Sequence, residues 1–322
     1  MPEVSIMGPP ARKPHSGAIM ASGAEGATGR ERDNGGRERD RGRRGRVRSM
    51  TDAATIADAH AFADAADARS GIVTRAALPD ELAGVLARFD ATWGAGRTLD
   101  LASLRAIDHA GNTVLLAVSA AGRADAAGEV AASAEPPLGA TLGFLGWSDG
   151  LHVHSHMNAV DPTARGRGIG VALKLRQRAL CLEHGVDEIR WTYDPLIRRN
   201  ARMNLVRLGA EVIAYHPDFY GELRDAISSG DRSDRFEVRW RLDAPRTHRA
   251  LTGAPQPAWN AAGGLPLVAD FEHVRRADPA VASQLRNASR EAFAALADGR
   301  LRPELDARGD YVFTADDPDR EP

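Results

Sequence analysis

Cysteine is almost absent from the chain, because Cys181 is the single one among 322 residues. One cysteine cannot form a disulfide within the chain, so we expect a protein of a reducing compartment, the cytoplasm. Long apolar runs are also lacking, since no stretch approaches the ~20 residues of a membrane span. The first residues do not show the charged-then-apolar pattern of a signal peptide. We therefore expect a soluble protein without membrane contact.

An excess of one charge sign is missing as well, with a formal net charge of −2. This balance argues against a nucleic-acid binder in which the whole molecule takes part. The exception is residues 1–49, which are rich in Gly and Arg and have little to bury, so they are predicted to form a disordered tail. The arginines of this tail could attract RNA or DNA. An unselective tail, or an upstream extension of the reading frame before Met50, is the interpretation that we favour.

The rest of the chain is predicted to contain a leader, a folded domain and an extension. Residues 50–70 are rich in Ala and Asp and are predicted to be a leader, at most a loose helix that buries little. Residues 71–245 alternate between strand-like and helix-like patterns and form the predicted domain. Residues 246–322 are a predicted C-terminal extension with one helix and a short final strand. The order of elements predicts an α+β, three-layer fold with a mixed, mainly antiparallel sheet flanked by helices.

The stretch "DPTARGRGIG", residues 161–170, joins a strand-like run to a helix-like run. A helix start presents unpaired N–H groups and about half a positive elementary charge, and glycines let an anion approach that backbone. The stretch therefore suits a phosphate or a pyrophosphate. Val171 and Ala172 stand where a Walker loop needs Lys-Ser/Thr, and the dinucleotide fingerprint lacks its last glycine at Val171. A loop whose glycines only permit a sharp turn is the alternative reading.

The pattern Arg165-x-x-Gly168-x-Gly170, placed between a strand and a helix, resembles the acyl-CoA loop of the GNAT N-acetyltransferase superfamily. Four blocks in order resemble a bacterial branch of predicted GNAT acetyltransferases: "HSHMNAVDPTARGRGIGVALKLRQR", "WTYDPLIRRNARMNLVRLGA", "YHPDFYG" and "SDRFEVRWRL". The resemblance covers about residues 71–242 and, more weakly, residues 278–299.

This resemblance implies an acyl-CoA co-substrate, with acetyl-CoA favoured, in a cleft where two parallel strands separate. By similarity these strands are residues 151–160 and 188–194. The main chain of Ala159 and Val160 would pair with the pantetheine arm, and Asn200 would contact it. The pyrophosphate would be held at Arg165, Gly166, Arg167, Gly168, Ile169, Gly170 and Val171. The implied reaction is attack of a small-molecule amine on the thioester, which needs no metal.

Candidate catalytic residues are few. His152, His154 and His156 alternate along one predicted strand and so share one sheet face. His156 is the preferred general base or water relay, and a structural role under the cover of the sheet is the alternative. A metal site at this row is disfavoured because no nearby Asp, Glu or Cys completes a ligand shell.

Many superfamily members carry a tyrosine after the position of Asn200 that protonates the leaving thiolate, and "ARMNLVRLG" has none. Tyr193, Tyr215, Tyr220 or a water molecule are the candidate substitutes. The missing tyrosine leaves open a non-catalytic GNAT-fold module that binds acyl-CoA or joins a complex. The acceptor, the acyl chain and the oligomeric state also stay open, with a homodimer among the options.

Overall fold

A mixed seven-stranded sheet forms the centre of the computed structural model, which describes residues 52–96, 98–123, 137–221 and 231–322. Its strands are β1 (Ile72–Ala76), β2 (Thr113–Ser119), β3 (Gly139–Gly146), β4 (His152–Val160), β5 (Glu188–Tyr193), β6 (Glu211–His216) and β7 (Arg235–Arg241). They lie in the order β1-β2-β3-β4-β5-β7-β6, and every neighbouring pair is antiparallel except β4 and β5. The predicted mixed, mainly antiparallel sheet is confirmed. The predicted tail, residues 1–49, lies outside the described residues.

Helices cover both faces of this sheet. In chain order they are α1 (Ala53–Ser70), α2 (Leu82–Trp93), α3 (Leu101–His109), α4 (Ile169–Glu183) and α5 (Arg198–Ala201). Side chains of a strand alternate between faces, and β2 shows the result: Val114 and Leu116 pack with α2 and α3, whereas Leu115 packs with α1 and α4. The predicted three-layer arrangement is therefore observed. None of the helices in the described ranges is long and apolar enough to cross a membrane.

Helix α1 occupies the stretch that the sequence predicts to be a leader. Ala59 and Ala63 are fully buried and belong to the same apolar cluster as residues of α4. The carboxylate of Asp67 accepts hydrogen bonds from Thr74 on β1 and from Arg176 on α4. Alanine spaced at four residues lets two helices approach closely, so α1 packs well without large apolar side chains. The leader interpretation is therefore replaced by a packed helix.

The last part of the chain has more structure than the single predicted helix. It contains α6 (Pro245–Thr252), α7 (Phe271–Ala277), α8 (Pro279–Phe293) and an antiparallel sheet of β8 (Gly263–Leu265), β10 (Tyr311–Thr314) and β9 (Arg302–Leu305). Phe293 and Tyr311 pack against Phe236 of β7 in one continuous core. The sequence concealed the short helices because buried arginines, such as Arg246 paired with Glu304, replace apolar periodicity.

Candidate functional site

The glycine loop crosses from β4 to α4 with two glycines in the left-handed region. Gly166 has a φ of 83° and Gly168 a φ of 92°, which side-chain-bearing residues rarely adopt. Gly168 is the residue that precedes α4, and no side chain caps the helix there. Asn158 of β4 donates a hydrogen bond from Nδ2 to the carbonyl of Gly170, which fastens the first helical turn to the strand. The sequence thus needs glycine here for backbone reasons.

Unpaired amides follow from this geometry. The amides of Val171 and Ala172 both donate to the carbonyl of Gly168. Within the described part of the chain, the five amides of residues 166–170 donate to no acceptor. A run of free donors at the positive end of a 15-residue helix is suited to an anion. The predicted pyrophosphate loop therefore has the required donors.

The two arginines of the loop differ in what they contact. Arg167 donates from Nη2 to the carbonyl of Ser70, at 2.8 Å, and so ties the loop to the end of α1. Arg165 is exposed and has no carboxylate partner among the residues that the structure describes. Its charge reaches Arg199, whose pKa is lowered by burial and then by Arg165. The loop thus offers one free cation with a second guanidinium nearby.

The parallel strands β4 and β5 form a fork next to the loop. They are paired only at Val153 with Ile189 and at His154 with Arg190, and they separate beyond these residues. On the other edge of β4, Met157 faces Leu142 and Ser155 faces Gly143, so His156 is the extra residue of a β-bulge. The predicted splaying of the two strands is present.

The main-chain groups of β4 beyond the fork alternate in direction. The amide of Asp161 donates to the carbonyl of Leu138, the residue before β3. Because hydrogen-bonded and non-hydrogen-bonded pairs alternate in an antiparallel ladder, the main chain of Ala159 points towards β3. The main chain of Val160 points away from β3, towards the open fork. Of the two residues predicted to pair with pantetheine, Val160 thus directs its main-chain groups to the fork and Ala159 directs them to β3.

Two histidines stand on the sheet face opposite α4. The rings of His154 and His156 lie 5.4 and 5.8 Å from the ring of Phe144. Burial lowers the pKa of His156, and burial with the neighbouring His156 charge lowers the pKa of His154 to about 4. Both imidazoles are therefore neutral at pH 7 and able to accept a proton. His152 instead places Nδ1 2.9 Å from the carbonyl of Gly150.

The candidate proton donors are occupied elsewhere. The hydroxyl of Tyr193 lies 3.0 Å from that of Tyr311 in the core, and that of Tyr215 donates to Asp234. Burial raises the pKa of both phenols. Neither is brought together with the fork histidines by a contact. The hydroxyl of Tyr220 lies 3.0 Å from Thr192 Oγ1 on β5.

Asn200 lies in α5, directly after the two arginines that join this helix to the C-terminal part. Its amide donates to the carbonyl of Ile197, which begins the helical turn. Arg199 pairs with Glu272 of α7, and Arg198 donates to the carbonyl of Leu267. From Arg202 to Arg207 the helix is of the π type, a form frequent at functional sites.

The sequence reasoning missed two groups of residues near the fork. Lys174 of α4 is buried against β4 and β5, with Nζ 2.7 Å from Ser155 Oγ. Glu237 of β7 places Oε2 2.8 Å from Nε2 of His216, and its negative charge acts on His154. The available signal for the first group was that Lys174 is one of only two lysines in the sequence and lies in the helix that follows the glycine loop. The second needed the strand order, since β7 becomes the neighbour of β5, and β6 the neighbour of β7, only in the fold. The described residues contain no cluster of three or more potential metal ligands.

No family model and no curated protein matches the chain. Solved structures do match, and each of those described below covers about half of this chain. The NatC complex bound to Gag peptide and CoA matches at 18% identity over 53% of this chain and 98% of that chain, with a TM-score of 0.39. Arabidopsis thaliana Naa50 with a bisubstrate analogue matches at 16% identity over 52% and 97%, with a TM-score of 0.40.

The ribosomal-protein-S18-alanine N-acetyltransferase from Escherichia coli matches at 9% identity over 53% and 94%, with a TM-score of 0.40. At these identities the likeness concerns the fold alone. The described part of the chain combines this sheet order with a fork between β4 and β5 and a glycine loop at the start of α4.

Proposed function

We propose that the protein is an acyl-CoA-dependent N-acyltransferase that transfers an acyl group, with acetyl favoured, to the amine of a small molecule. The observation that carries the proposal is the run of five free amides, residues 166–170, beside a fork of parallel strands. Those amides would bind the diphosphate, with Arg165 adding charge, and the main chain of Val160 would pair with the pantetheine arm. Asn200 remains the proposed side-chain contact to that arm.

The amine attacks the thioester carbonyl directly, so the protein has to orient two substrates and accept one proton. His156 is the proposed base, since it lies at the bulge of β4 and its lowered pKa keeps it neutral. A positioned base typically contributes about 10²- to 10⁴-fold. The face that carries His156 also presents Thr192 and Glu237, which gives the amine a polar route to the fork.

Two matched glycine variants test the diphosphate site. Gly166 and Gly253 both have positive φ, and a Cβ at either would meet nothing within 4 Å. Changing either to Ala should cost a similar ~1 kcal/mol of stability. Only Gly166→Ala should weaken CoA binding in calorimetry, by about tenfold, because only this residue belongs to the anion loop. Equal affinities for CoA in the two variants would contradict the proposed loop.

Turnover is tested by a panel of amines with acetyl-CoA and succinyl-CoA, following release of free thiol. Small amines should give thiol release, and peptide amines should give less. A wild-type protein that binds no acyl-CoA and releases no thiol would refute the proposal.

A non-catalytic acyl-CoA-binding module is the second candidate. The hydrogen bonds that occupy the hydroxyls of Tyr193 and Tyr215 favour it, because neither phenol is free to act as an acid. It predicts CoA binding without turnover across the amine panel, so one productive acceptor removes it.

A further inference from the structure

Lysine is nearly absent from this chain, and one of its two lysines is buried at the fork. The two are Lys13 and Lys174, so Lys174 is the single lysine in the described ranges. Its side chain leaves α4 for the sheet, and the residue is 2% exposed. Lysine is among the residues least often buried completely. A chain that otherwise uses arginine has thus placed a compact, titratable amine in its interior.

The ammonium nitrogen touches both strands at the point where they part. His154 and Arg190 form the last register pair of β4 with β5, and Ser155 and Trp191 are the next residues of these strands. Lys174 Nζ lies 2.7 Å from Ser155 Oγ and 3.8 Å from the centroid of the Trp191 ring. The amine is therefore located at the closed end of the fork, on the face that carries α4.

Nothing anionic balances this amine in the described part of the chain. No carboxylate pairs with Lys174, and the titratable groups that interact with it are the Cys181 thiol on its own helix and His154 on β4. Ser155 donates its hydroxyl to Gln177 Oε1, and Gln177 donates to Thr113. This network gives Lys174 one acceptor, while an ammonium has three N–H donors.

Burial without a counter-charge lowers the pKa of Lys174 to about 7. A thiol ionises near ~8.5, so transfer of a proton from this ammonium to a thiolate is favourable. Such perturbed groups in a cleft are candidates for proton transfer. Within the described part of the chain, one of the three ammonium donors has a hydrogen-bond acceptor, the hydroxyl of Ser155.

We propose that Lys174 protonates the sulfur of the departing coenzyme A at the closed end of the fork. The inference rests on the proposed acyltransferase function. The amine nitrogen bonds to the carbonyl carbon, the C–S bond breaks, and its electron pair stays on sulfur. Sulfur takes a proton from Lys174 Nζ and leaves as the thiol. Lys174, now neutral, regains a proton from water after the thiol departs, and the surplus proton of the attacking amine goes to the base.

The first test measures how the thiol of bound CoA ionises, from the ultraviolet absorbance of the thiolate across a pH series. An ammonium next to sulfur should lower the pKa of the bound CoA thiol by about one unit, and because about half of Lys174 is protonated at pH 7, the thiolate fraction there should rise about fivefold relative to free CoA. Lys174→Met should abolish this increase while changing the affinity for CoA less than about threefold. Ser155→Ala, which keeps the amine, is the matched control and should retain most of the increase.

Equal ionisation of bound CoA in the wild type and in Lys174→Met would overturn the role of Lys174 and leave the acyltransferase proposal intact. A wild type that binds no CoA would instead overturn both.

The second test is the pH profile of thiol release. Wild-type kcat should fall above pH ~7 as Lys174 loses its proton, and Lys174→Met should lower kcat about 100-fold and lose that fall. An unchanged kcat in Lys174→Met would also overturn the proposal.

Discussion

Lys174 in the fork and Arg286 in α8 are both almost completely buried cations, and their surroundings are opposite. Arg286 forms two hydrogen bonds with the Asp194 carboxylate, at 2.8 and 2.9 Å, and a third with Asp231 at 2.6 Å. Lys174 has a hydroxyl and an aromatic ring instead. Desolvation lowers the pKa of both groups, but the carboxylates reverse its effect for Arg286, whose pKa is raised. The presence of a carboxylate partner, and not the degree of burial, therefore decides whether a buried cation stays protonated or can release its proton.

The position of each cation matches this difference. Asp194 directly follows β5 and Asp231 precedes β7, so Arg286 fastens α8 to the two strands that border the fork on one side. Arg275 of α7 joins the same pair of carboxylates at 3.6 Å. The C-terminal part is therefore fastened to β5, one of the two fork strands, and to its neighbour β7. Lys174 contacts both fork strands, β4 and β5, without a partner of opposite charge in the described residues.

The largest expected effect comes from removing the paired cation. Arg286→Met leaves two buried carboxylates with less compensation, and breaking such a network typically costs about 3 to 5 kcal/mol. Urea denaturation should show this loss of stability. Arg300→Met is the control, because Arg300 is 84% exposed and pairs with Asp298 on the surface. The control should change the free energy of unfolding by about 0 to 1 kcal/mol. Equal losses of stability in Arg286→Met and Arg300→Met would contradict a stabilising role of the buried ion pairs.

Removing Lys174, the cation without a carboxylate partner in the described residues, should increase stability instead of lowering it. Between pH 7 and 10.5 the unfolded chain keeps the Lys174 proton and the folded chain does not, so wild-type stability rises with pH in this window. Lys174→Met removes this cost and should stabilise the protein at pH 7 by about 2 to 4 kcal/mol. The gain should shrink towards pH 10.5. A variant less stable than the wild type at pH 7 would show that the ammonium is compensated.

These two cations also show the limit of sequence reasoning. The glycine loop was predictable from the residues, because it depends on glycines between a strand-like and a helix-like run. The parallel pair was expected only from the resemblance that the motif after Val160 carries, and the order of strands in the sheet was not predicted. Neither Lys174 nor Arg286 could be assigned, since each depends on residues far along the chain, such as Trp191 or Asp194. Helix α1 was missed for a related reason: alanine has little apolar surface, and its value appears only against α4.

An exposed cation gives a third case for the comparison. Arg165 has no ion pair in the described ranges, so its loss should leave stability unchanged within about 0.5 kcal/mol. Arg165→Gln should weaken CoA binding about fivefold, roughly 1 kcal/mol, and the effect should decrease at high salt. Calorimetry at low and high salt measures both the loss of CoA affinity and its dependence on salt. Arg300→Gln serves as control for the loss of one surface charge, and an equal effect on CoA affinity there would contradict a local contact.

The smallest expected effect separates the amine from the phenol as the proton donor. In Tyr193→Phe the hydroxyl of Tyr311 still donates to the carbonyl of Pro195, so no buried donor is left unpaired. Stability should fall by about 0.5 to 1.5 kcal/mol, and kcat for thiol release should change less than about twofold, against the ~100-fold loss expected for Lys174→Met. A large fall in kcat for Tyr193→Phe, together with an unchanged decrease of kcat above pH 7, would indicate that Tyr193 and not Lys174 is the proton donor. The phenol could act only by breaking its bond with Tyr311, whereas the ammonium already contacts both strands of the fork.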